Sequence, residues 1–117
     1  MGSLSACRDW GDAREYVQAM WLMLQQPSPG DYVLASGELH AVQEVVEIAF
    51  ATVGLDWRKH VRIDPQFLRP VEPARLVGNA AKAKHQLNWS PQKSFQELIA
   101  EMTLAALEES PADAVKA

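Results

Sequence analysis

The 117 residues predict an α/β fold, mainly helical with a few short strands. Two segments with apolar residues at helical spacing flank a short β-prone run set between Gly30-Asp31 and Ser36-Gly37, and a third helical segment opens on a capping pattern near the end of the chain. Strand, glycine-containing loop and helix in that order form an α/β signature. At 48% hydrophobic and 22% charged residues, the composition suits one modest soluble domain. A chain this short buries a small share of its surface, so the loss of any packing partner is felt strongly.

The first helix is predicted over residues 12–25, stopped by Pro27 and the turn that follows. Ala13, Tyr16, Val17, Met20 and Leu24 recur at helical spacing, and Trp21, Leu22 and Met23 extend the apolar surface around the cylinder. Such a helix is expected to be buried on more than one side. Tyr32-Val33-Leu34-Ala35 reads as a strand, and its continuous apolar character favours a parallel sheet covered on both faces. The second helix, over residues 41–53, gathers Val42, Val45, Val46, Ala49, Phe50 and Val53 on one face, and Gly54 offers the left-handed position that ends it.

Beyond that point, Val61-Arg62-Ile63 and Leu76-Val77 are candidate brief strands, and residues 64–73, with three prolines, form a fixed but irregular loop. Asn79 is a candidate N-cap for a short helix reaching Leu87. Ser94-Phe95-Gln96-Glu97 carries the capping-box pattern ahead of Leu98, Ile99, Met102, Ala105 and Ala106, so the last helix starts there. Residues past Glu109 read as a frayed tail.

The net charge of -4 argues against nucleic-acid binding, which draws on clustered Lys and Arg. Residues 56–84 nevertheless hold seven basic and three acidic side chains, a local balance that suits a small anion such as a diphosphate as well as it suits scattered solvated charge. Cys7 is the single cysteine, which excludes an intrachain disulfide, and the three histidines lack paired ligand spacing, so no metal site is expected. The longest apolar run, residues 19–24, is far below the ~20 residues that span a bilayer. No membrane association is expected, and a cytoplasmic setting follows.

The chemistry of a redox enzyme is missing from these residues. None of the six glycines builds the Gly-rich turn through which backbone N–H groups approach a pyrophosphate. Gly78-Asn79-Ala80-Ala81-Lys82 lacks the second glycine and the Lys-Ser/Thr pair of a phosphate loop. A tyrosine with lysine four residues on would suggest a short-chain dehydrogenase base; Tyr16 is followed there by Met20 and Tyr32 by Ser36. No catalytic residue is expected in the chain.

Four blocks in order and spacing carry a family resemblance. They are Arg8-Asp9-Trp10-Gly11 with the helix up to Gln25, Tyr32-Val33-Leu34-Ala35-Ser36-Gly37-Glu38 with His40, Leu68-Arg69-Pro70-Val71-Glu72, and Lys82-Ala83-Lys84 through Leu87-Asn88-Trp89-Ser90-Pro91. Together they resemble the C-terminal half of the GDP-mannose 4,6-dehydratases, extended short-chain dehydrogenase/reductases in which an N-terminal Rossmann domain holds NADP and a smaller C-terminal part grips GDP-mannose. In that family the cofactor oxidises C4 of mannose, water leaves across C5 and C6, and hydride returns to C6. The resemblance implies that Arg8 and Arg69 contact the diphosphate and that Glu72 holds the GDP ribose or base region, roles that suit guanidinium forks and a carboxylate acceptor. Read without it, Arg8 fits a local pair with Asp9 or Asp12, Arg69 an exposed loop charge, and Glu72 a local cap or pair.

Three departures bear on the transfer. Phe67-Leu68 puts no hydroxyl where the family usually has tyrosine before Arg-Pro, Ala41 stands where it commonly has a capping serine, and Ala74-Arg75 replaces acidic residues. The expected organisation is a sugar-nucleotide-binding part over residues 1–108 and a flexible tail over 109–117, with the Rossmann domain absent. The expected function is weak binding of GDP-mannose or GDP without bound cofactor or catalysis. The competing expectation is a non-catalytic interaction module that pairs with itself or with a Rossmann-domain partner, because Trp21 and residues 32–35 would then lie uncovered.

Overall fold

In the computed structural model, residues 1–69 and 76–109 are described. The Asp12 carboxylate accepts from the Arg14 N–H at 2.8 Å and so starts α1 (Ala13–Leu24), which closes at Gln25 ahead of Pro27. α1 packs on α3 (Ala81–Leu87) through Ala19 and Ala83, two small residues that let the helices meet closely and are both fully buried. Leu87 and Trp89 complete this cluster, with Tyr16, Leu22, Met23 and Leu34 against it. The N-cap of α3 is Ala80, not the expected Asn79 one residue earlier, whose Oδ1 accepts from the Ala81 N–H at 3.0 Å; Asn88, at φ 54°, ends the helix in the left-handed conformation that asparagine tolerates. Trp89 is thereby turned inward, and its Nε1 donates to the Glu15 carbonyl at 3.0 Å.

α2 (Val42–Thr52) packs against α4 (Phe95–Glu109), burying Val46, Phe95, Leu98 and Ile99. Gly54 follows α2 at φ +74°, a conformation that side chains rarely adopt. α4 opens as its sequence predicts: Ser94 Oγ accepts from the Glu97 N–H at 3.1 Å, while its hydroxyl donates to Glu97 Oε1 at 3.0 Å. At Ala41 the cap is half made. The methyl group accepts nothing, but the Ala41 N–H donates to Glu44 Oε2 at 2.6 Å.

The sheet differs from expectation. Its two strands are β1 (Cys7–Asp9) and β2 (Leu39–Ala41), antiparallel, with Arg8 opposite His40. Residues 32–35 join no ladder among the described residues, because β-propensity makes a strand only where a partner supplies the hydrogen bonds. Ala35 is buried and Val33 exposed, so the run is not covered on both faces. Leu76-Val77 and Val61-Arg62-Ile63 likewise form no strand, and the described residues between α2 and α3 instead hold two short 3-10 turns, Trp57–Lys59 and Pro65–Phe67. α1 is covered on one side only: Val17, Met20, Trp21 and Leu24 lie exposed on the flank away from α3. The part of the proline-rich loop over residues 70–73 and the tail past residue 109 lie outside the described residues.

Candidate functional site

Side chains alternate along β1, so Arg8 and Asp9 leave the strand on opposite faces. Arg8 is half-buried, and its Nη1 donates to the Cys7 carbonyl at 2.8 Å. Across the ladder, His40 stacks on the Phe95 ring with centroids 3.9 Å apart, and its ring nitrogens lie 3.2 Å from Glu44 Oε1 and 3.3 Å from Glu38 Oε2. The Trp10 indole N–H donates to the His40 carbonyl at 2.9 Å and ties the end of β1 to β2.

Asp9 gathers the chain on the other face. Oδ1 accepts from the Ser36 N–H at 2.8 Å and the Ser36 hydroxyl at 2.7 Å; Oδ2 accepts from the N–H groups of Gly37 at 3.0 Å and Gly78 at 3.2 Å. Burial pushes the Asp9 carboxyl up, but these bonds outweigh it and hold the group below its ordinary range. A Cβ at Gly78 would fall 2.2 Å from that of Ala35, so only glycine lets the two segments pass this close. Beside the junction opens a cavity of about 470 Å³ lined in part by Ser36, Gly37, Gly78, Lys84 and Trp89, and neither Arg8 nor Arg69 lines it.

Asp12 is engaged by Arg14 and Lys93: Arg14 Nη2 lies 2.8 Å from its Oδ2 and 2.9 Å from Glu101 Oε1, and Lys93 Nζ lies 3.8 Å from Asp12 Oδ2 and also pairs with Glu101. Arg69 is exposed two residues past the Pro65–Phe67 turn. That turn is fastened to the segment leading into β1, since the Asp64 N–H donates to the Met1 carbonyl at 2.7 Å. The bond ties the N-terminal segment to the turn that precedes Arg69, while Glu72 lies outside the described residues. Of the residues that organise this region, Asp9 and Gly78 carry no local signal of their role, because they lie 69 positions apart in sequence. Among the described residues no group of three or more His, Cys, Asp or Glu is placed to hold a metal ion, and no helix is long and apolar enough to cross a membrane.

Residues 1–102 match the family model of GDP-mannose 4,6 dehydratase. GDP-mannose 4,6 dehydratase 1 of Arabidopsis thaliana is 48% identical over 108 residues, which take in 92% of this chain and 30% of that protein. The Homo sapiens GDP-mannose 4,6 dehydratase is 42% identical over 125 residues, 92% of this chain and 34% of that protein. The chain thus spans about a third of the length of the curated relatives it matches. Among solved structures, RMD from Pseudomonas aeruginosa, complexed with NADPH, superposes with a TM-score of 0.79 at 18% identity over 94% of this chain and 36% of that one. The dTDP-glucose 4,6-dehydratase of Bacillus anthracis, in complex with NAD, gives 0.79 at 21% identity over 92% and 33%. These likenesses show that the chain shares its fold with about a third of each of those two proteins. With the family model matched from residue 1 to residue 102, the chain belongs to the GDP-mannose 4,6-dehydratase family.

Proposed function

We propose that residues 1–108 are the nucleotide-sugar-binding part of a GDP-mannose 4,6-dehydratase, a cytoplasmic lyase that converts GDP-mannose to GDP-4-keto-6-deoxymannose, and that residues 109–117 are a tail. Arg8 and Arg69 hold the diphosphate, and Glu72 holds the GDP ribose or base region. The observation that carries this reading is the mounting of Arg8: β2 pairs with its strand on one edge and Asp9 fastens the next residue from the far face. A guanidinium on so fixed a backbone presents its planar donors to phosphate oxygens at low entropic cost.

NADP does not fit the described residues. The N–H groups of Gly37 and Gly78, the nearest thing to a glycine cradle, are already taken by Asp9 and do not face a pyrophosphate. The dinucleotide and the groups acting on C4, C5 and C6 are therefore assigned to a Rossmann domain outside these 117 residues. Calorimetric titration of GDP into the chain should show weak binding that Arg8→Ala and Arg69→Ala each reduce by roughly tenfold or more, the usual scale for a charge-assisted contact. A folded chain that takes up no GDP would sink the reading.

The exposed flank of α1 favours a second reading, a non-catalytic interaction or oligomerisation module descended from the same family. That module would associate while ignoring GDP, so the same titration combined with light scattering separates the two.

A further inference from the structure

Asp9 joins three segments that nothing in the local sequence connects. Its four donors are neutral, they come from positions 27, 28 and 69 residues further along, and each carboxylate oxygen takes two of them. The residue immediately before it is Arg8, aimed at the opposite face with His40 across the ladder. β2 holds β1 along one edge, and Asp9, the residue next to Arg8, fastens the strand to two further segments, so the backbone direction at Arg8 depends on both attachments. We infer that Asp9 is the positioning residue for Arg8: its ionised carboxylate locks β1 to the Ser36-Gly37 loop and to Gly78, and this presents the guanidinium to a nucleoside diphosphate.

The role toward the diphosphate rests on the proposed reading of Arg8, whereas the role toward Arg8 itself does not. Asparagine at position 9 matches the carboxylate in shape, yet only one of its atoms accepts. With that oxygen kept on Ser36, the amide NH₂ faces the N–H groups of Gly37 and Gly78, donor against donor. The junction then opens while the α2–α4 core, built from other residues, keeps its packing.

The test uses the whole chain as Asp9→Asn, with ¹⁵N relaxation of the Arg8 backbone and guanidinium, amide exchange, and GDP as the probe. Expected are exchange at Gly37 and Gly78 faster by roughly tenfold, in line with a local opening, and increased Arg8 mobility. GDP affinity should fall by roughly tenfold, as displaced binding groups cause. In an Arg8→Ala background the Asp9 substitution should bring no further loss of GDP affinity, an outcome that a merely structural role would not give. An Arg8 as ordered as in the parent chain, in a folded Asp9→Asn protein with unchanged affinity, overturns the inference. If the parent chain binds no GDP, the nucleotide reading fails, and the Arg8 relaxation still decides whether Asp9 positions it. Should Asp9→Asn not fold, Ser36→Ala, which takes one of the four donors from Asp9 along with the local hydroxyl contacts to Glu38, must give smaller shifts in the same direction or the inference fails.

Discussion

A carboxylate surrounded by four neutral donors keeps them all only while ionised. Asp9 is held below its ordinary value of 3.8 because those bonds outweigh the upward push of burial. For a depressed acid the sign is fixed: its contribution to stability is complete above the unfolded value and disappears as pH falls through the folded one. Urea midpoints followed from about pH 5 to pH 2 should therefore drop in the parent chain below that ordinary value, and the Asp9→Asn protein should lack Asp9's share of the drop. Glu44 adds to the same acid limb, lowered first by the Ala41 N–H and then by His40. Arg8 could be singled out only by family resemblance, since the sequence alone offered it Asp9 or Asp12 as a partner. In the structure the Asp9 carboxylate accepts from backbone and hydroxyl donors, and Asp12 pairs with Arg14 and Lys93.

The helices illustrate how differently the two N-caps are built. Ser94 satisfies a backbone donor of α4 with its own hydroxyl, and Ser94→Ala should cost about 1 kcal/mol in chemical denaturation. Ala41, at φ −77° and ψ 153°, already has the backbone of a cap but no side-chain acceptor, so Ala41→Ser should stabilise by about 0.5–1 kcal/mol in the same measurement. α1, α2 and α4 were legible because apolar period and capping residues are local properties. β1 and β2 were not: each is three residues long, with a polar centre, and each exists only through a partner some thirty residues away. The run at residues 32–35 erred in the other direction, having strand-like side chains but no ladder. The Asp9 junction failed to show for the same reason as the strands, as its donors lie far along the chain and two of its three donor residues are glycines without a side-chain signature.

At the scale of the whole chain, the radius of gyration of 17.4 Å exceeds the ~13 Å of a compact domain of this length. Among the described residues no large side chain is fully buried. The helical flank of α1 adds Val17, Met20, Trp21 and Leu24, which are 53–82% exposed. A contiguous apolar stripe of this kind drives association, so light scattering should show mass rising with concentration, and Trp21→Glu with Leu24→Glu should suppress the rise. A stable monomer in the parent chain would count against this. The same stripe gives the molecule an optical signature. Trp21 is 59% exposed and Trp89 only 4%, so a dissolved collisional quencher reaches the indole on α1 and is kept from the one beneath it. Any surface that settles on α1, whether another copy or a larger lobe, would shield Trp21 and shift its emission toward the blue, making contact visible without a label.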